Sequence, residues 1–119
     1  MAQSKSLSEL IVEGIHNRKG RNVTIIDMSD IDTAVTRRFI IAEGNSTIQT
    51  GAIAESIEET VREASGVKPF GSVGEGTGEW VVMDYGDTWV HIFIPAVRER
   101  YNLEELWSDA KVSHIPDLD

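Results

Sequence analysis

Cysteine is absent from this chain of 119 residues, so disulfides, thiolate metal sites and cysteine nucleophiles are excluded together. A disulfide-stapled secreted scaffold is excluded with them, and the cytoplasm is the expected compartment. Long apolar runs are missing too. Nothing approaches the roughly 20 residues that span a bilayer, and the opening MAQSKSLSEL lacks the unbroken apolar stretch of a signal peptide, so no membrane partner is expected. Basic residues are outnumbered, 11 against 20 acidic ones, which leaves a formal net charge of -9. Such a surface repels a phosphate backbone and draws basic proteins, so direct, sequence-specific nucleic-acid binding is disfavoured.

What is present is the composition of a folded, water-soluble protein, 40% hydrophobic and 26% charged. The length suits one domain over residues 1–119, with an ordered core expected over 5–109. Leu7, Leu10, Ile11, Gly14 and Ile15 fall on one face of a helix expected over 7–19, opened by a Ser6/Glu9 capping box and closed by Gly20. Two short β-branched runs, 23–28 and 36–42, read as strands of one sheet. Ser46 with Gln49 opens a second helix, with Ile48, Ala52, Ile53, Ile57, Val61 and Ala64 inward, ending at Gly66. A glycine-rich loop leads to two more strands, 79–84 and 87–94, joined as a hairpin through Tyr85-Gly86. After Pro95 the chain is expected to turn, Asn102 and Glu105 to make a third capping signal, stapled by Tyr101 and Leu106, for a short helix ending near Trp107, and residues 110–119 to form a mobile tail. The fold class is α/β, a mixed sheet with flanking helices.

The hairpin divides its residues between two faces. A two-residue turn sets Asp84 opposite Asp87, Val82 opposite Trp89 and Trp80 opposite His91. One face then carries Val81, Met83, Val90, Ile92 and Ile94 and should lie under the helices; the other carries Trp80, Val82, Asp84, Asp87, Trp89, His91 and Phe93. Tryptophan is enriched at binding hot spots, so this mixed aromatic and acidic face is the candidate partner surface, with Tyr85 added at the hairpin tip.

Residues 75–107, EGTGEWVVMDYGDTWVHIFIPAVRERYNLEELW, closely resemble the ribosomal silencing factor (Iojap-like) family. Glu75-Gly76, Trp80, Asp84-Tyr85-Gly86-Asp87, Val90-His91-Ile92-Phe93, Arg98, Tyr101, Leu103-Glu104 and Leu106-Trp107 stand at the family's spacing, as do Ile26-Asp27, Phe39-Ile40-Ile41-Ala42, Gly44-Asn45-Ser46, Ala52-Ile53-Ala54 and Pro69 upstream. Arg37-Arg38 departs from the acidic-then-aromatic pair usual in the family. The resemblance implies a minimal nucleotidyltransferase-like fold without catalytic residues or cofactor. It also implies docking on ribosomal protein number fourteen of the large ribosomal subunit, which blocks the small subunit and represses translation.

The rival reading is a nucleotidyltransferase-like enzyme or nucleotide binder, using Ser46 at a strand-to-helix junction and Asp30 with Asp32 as metal ligands. It lacks carboxylates on a strand after the Gly-Asn-Ser element. His16, His91 and His114 have no short metal-ligand spacing, and aspartates beside Tyr-Gly are what a tight turn favours, so no metal or catalytic residue is assigned. A third reading is a homodimer of the free protein through the aromatic face.

Overall fold

The computed structural model describes residues 5–118; the first four residues and Asp119, at the end of the expected tail, lie outside the described part. The elements in chain order are α1 (Leu7–Asn17), β1 (Arg21–Asp27), β2 (Arg38–Glu43), α2 (Thr47–Ser65), β3 (Gly71–Val73), β4 (Trp80–Asp84), β5 (Thr88–Phe93), α3 (Pro95–Tyr101), α4 (Leu103–Leu106) and β6 (Lys111–Ile115). The strands form one mixed sheet in the order β3-β4-β5-β2-β1-β6. Only β2 and β5 run parallel, and they are the central pair. Strand β2 has helices on one face and the C-terminal segment on the other, so Phe39, Ile40, Ile41 and Ala42 are all buried, as the unbroken apolar run FIIA requires.

Helices α1 and α2 cover one face. Ile11 and Ile15 of α1 and Ile53, Ile57 and Val61 of α2 close over Val23, Ile40, Val81, Val90 and Ile92. The Ser6/Glu9 capping box forms in full. At α2 only half does, because the Gln49 side chain accepts from the backbone of Asn45, one residue earlier than a box would have it. Gly14 sets how closely the helices approach, since a Cβ there would lie 2.7 Å from the Ile57 Cα. The expected inward face of α2 is corrected at its ends. Ile48 is 85% exposed and Ala64 is exposed, whereas Thr50, Ala54 and Ser56 are buried.

Four further expectations are corrected. Gly20 is not the left-handed cap of α1; Lys19 takes that conformation at φ 59°, while Gly20 is buried where a Cβ would strike Ile15. Pro95 begins α3 rather than a turn, its missing N–H being harmless at a first helical position. Asn102 is left-handed and makes no backbone cap, and its side chain donates to the Glu105 carboxylate instead; Tyr101 and Leu106 stay exposed, so no staple forms. Residues 111–115, expected to be mobile, are the edge strand β6, antiparallel to β1.

The C-terminal segment is pinned by polar contacts. Arg98, the buried residue of α3, donates to the Asn22 carbonyl at 2.6 Å and the Thr24 hydroxyl at 2.9 Å, and pairs with Glu43 and Glu104 at 3.3 Å each. Thr24 also meets His114 Nδ1 at 3.1 Å, and Asp117 accepts from Arg21 and from the backbone of Asn22 at 3.0 Å each.

Candidate functional site

The hairpin divides as its alternation requires, but in a register two residues away from the expected one. Trp80 pairs with Phe93, Val82 with His91 and Asp84 with Trp89. The turn is therefore Gly86-Asp87, closed by the Tyr85 N–H donating to the Thr88 carbonyl at 2.9 Å. Gly86, at φ 91°, takes the first central position, where this class of hairpin turn needs a positive φ. A slip of two leaves every side chain on its expected face, because side chains alternate with a period of two.

Register extends the second face across the sheet. One row runs Asp84, Trp89, Phe39, Ile26 and Val112; the next runs Val73, Val82, His91, Ile41, Thr24 and His114. A smaller apolar cluster of Ile26, Met28, Phe39, Ile41 and Phe93 sits here, with Val97, Leu103, Trp107 and Ala110 packed against it from α3, α4 and the segment beyond. This roof is offset toward β2 and β1. Trp107 meets Phe39 edge to face at 6.2 Å, and Tyr101 lies 4.6 Å from Trp80, which also has Phe93 at 4.9 Å and His91 at 5.9 Å.

The expected face is thus partly covered. Trp80, Val82, Asp84 and Trp89 are half-buried and Asp87 is exposed. His91 and Phe93 are buried, at 4% and 1% exposure, and are not open to a partner as the protein stands. Tyr85 is corrected outright: it points to the helix-covered side, buried at 5%, its hydroxyl unpartnered and pushed up to about 12 by burial and by Glu58. What stays open is the β3-β4-β5 end of the face, with Val73 at 66% exposure beside Val82, and Tyr101 at 51% beside Trp80. Sequence reasoning missed Val73, which lies in a three-residue strand inside a glycine-rich loop. It placed Tyr101 in a staple, although an aromatic six residues after a helix-opening proline could have been read as helical.

His91 is the polar centre of the face. Its Nδ1 accepts from the Trp80 indole N–H at 3.0 Å, its Nε2 is buried with no partner, and burial brings its pKa down to about 4. The ring is therefore neutral at physiological pH, with its proton on Nε2. Among the aspartates, Asp84 accepts from the Gly86 backbone and Asp87 from Thr88, so both serve the turn while Asp87 also faces solvent.

The residues of the rival enzyme reading are not brought together. Asp30 and Asp32 lie in the loop before β2, and Ser46 lies after its far end. Six residues of strand at about 3.3 Å each separate them by roughly 20 Å. Ser46 caps α2 by accepting from Gln49. No group of three or more His, Asp or Glu residues suited to a metal ion occurs among the described residues, and no described helix is long and apolar enough to cross a membrane.

A family model described as ribosomal silencing factor during starvation matches residues 1–119. The chain is 39% identical over 109 residues to the ribosomal silencing factor of Chromobacterium violaceum, covering 92% of this chain and 88% of the relative. It is 34% identical to that of Bacillus subtilis, covering 93% and 92%. A crystal structure of a Chromobacterium violaceum protein superposes with a TM-score of 0.82 at 38% identity, covering 95% of this chain and 92% of that one. By sequence and by fold, this chain belongs to the ribosomal silencing factor family.

Proposed function

We propose that the protein is a cytoplasmic translation repressor that binds the large ribosomal subunit through its ribosomal protein number fourteen, a basic protein, and keeps the small subunit from joining. It acts by obstruction, without chemistry of its own. The observation that carries this reading is the open end of the second sheet face, where half-buried Trp89 pairs with Asp84 near exposed Asp87 and half-buried Trp80 lies two rows along the same face, on a chain of net charge -9. Aromatic rings supply apolar area at low ordering cost, and carboxylates beside them supply specificity and association rate toward a cationic surface.

The test is a pull-down from lysate with the tagged chain. Large subunits should come without small ones, and Asp87→Lys, a change at an exposed turn, should reduce their recovery. Association should slow with added salt, since exposed charges are screened beyond about 10 Å at 0.1 M. Recovery of intact ribosomes, or no ribosomal material, would refute the reading. A self-dimer that persists when large subunits are supplied would assign the face to a second copy instead.

A further inference from the structure

We propose that His91 is a positioning residue of the docking face, holding the Trp80 indole in the orientation that meets the partner. The inference rests on the docking function proposed above. Trp80 and His91 are diagonal neighbours across β4 and β5: Trp80 pairs directly with Phe93, and His91 with Val82. Diagonal pairs reach each other only through long side chains, and here the indole N–H spans the gap to Nδ1 at 3.0 Å.

The stacking partners alone do not fix this geometry. Phe93 at 4.9 Å and Tyr101 at 4.6 Å set the plane of the indole, but a ring held between two rings can still turn within that plane. The hydrogen bond removes this freedom. It commits the N–H edge to His91, so what the half-buried ring can offer a partner is its carbon surface. The partner then meets hydrocarbon, with the Asp84 carboxylate two rows along the same face.

His91 itself is flanked on its own face of the sheet. Phe39 packs edge to face against it at 4.4 Å, and Phe93 lies parallel at 6.1 Å. Its Nε2–H has no acceptor and is sealed from water. An unsatisfied buried donor destabilises a fold, and an apolar side chain at this position would avoid it. The advantage that histidine brings instead is an acceptor at Nδ1, and the group that uses it is Trp80.

The experiment combines NMR of the indole N–H with large-subunit binding by the full chain. His91→Leu removes the acceptor and keeps bulk, His91→Asn restores an acceptor near the Nδ1 position, and Trp80→Phe keeps a ring without the N–H. In the unaltered protein the Trp80 indole proton should exchange slowly. In His91→Leu it should shift and exchange faster, and affinity for large subunits should fall about tenfold, the scale of one hydrogen bond. His91→Asn should recover both readouts. Trp80→Phe should match His91→Leu in affinity, with no further loss in the double variant, and it reports on the bond even if His91→Leu does not fold. An unchanged indole signal in His91→Leu overturns the proposal, and so does a changed signal with unchanged affinity. In either case a strong loss in Trp80→Ala would leave the docking function standing. Full affinity in Trp80→Ala would take Trp80 out of the docking face and overturn the positioning role, while large-subunit binding itself would stand.

Discussion

Replacing glycine by alanine at two positions should move stability in opposite directions, and the distances decide the signs. Gly14 and Gly51 both lie within helices, where alanine is preferred over glycine by about 1 kcal/mol. At Gly51 an added Cβ meets nothing within 4 Å, so Gly51→Ala should gain about that amount. At Gly14 the Cβ would lie 2.7 Å from the Ile57 Cα and 3.1 Å from its nitrogen. Those are backbone atoms, which no rotamer change removes, so the helices must separate by roughly 1 Å to regain van der Waals distance. Separation also stretches the Ser56 hydroxyl's bond to the Gly14 carbonyl, now 2.8 Å. Overpacking of this kind costs about 1 to 3 kcal/mol and a weakened buried hydrogen bond about 1 more, against the 1 gained from propensity. Gly14→Ala should therefore lose about 1 to 3 kcal/mol net. Urea melts with far-UV circular dichroism would show the two midpoints moving apart around the parent, with equal slopes. A Gly14→Ala protein as stable as its parent would refute the close approach of α1 and α2.

His91 should make the protein less stable in mild acid. Above about pH 6.5 folded and unfolded chains both hold the ring neutral; between there and about 4 only the unfolded chain takes up the proton, so stability should fall by about 2 kcal/mol from pH 7 to 4.5. Denaturant titrations across that range should show the loss in the parent and not in His91→Asn. The carboxylates of Asp27 and Asp117 are held below their usual range, chiefly by hydrogen bonds from Ser29 and from the Asn22 backbone, so their contributions disappear only at lower pH. Arg98→Met should cost about 3 kcal/mol or more, because it strips the guanidinium from a nearly buried Glu43 carboxylate. A melting temperature within a degree of the parent would contradict that. Ser46→Ala should cost about 1 kcal/mol by removing the cap of α2, read by the same urea melts.

Much of this architecture was legible in local patterns. The face of α1, the strand FIIA and the division of the hairpin all follow from side-chain period, and period survives an error of two residues in register. What escaped was set by partners distant in sequence. Strand β6, KVSHI, is polar and mostly exposed, and only its pairing with β1 some ninety residues earlier marks it as a strand. Arg98 looks like a solvated helix charge until Asn22, Thr24 and Glu43 close around it. The docking face was legible in composition, though not in coverage. Nothing local tells that Tyr101 and Trp107 lean over part of it, whereas the direction of Tyr85 continues the alternation of Val81 and Met83.

The pairing of β1 with β6 carries a consequence for how the chain matures. β1 leaves the ribosome well before β6 and finds β2 soon after, but its other border waits for residues 111–115, some ninety positions later. During that interval the nascent protein presents an unpaired strand border to its surroundings, a recognised hazard for aggregation. The arrival of β6 closes that border, so a premature stop shortly before Lys111 would release chains with most of their core complete and one border of β1 left open.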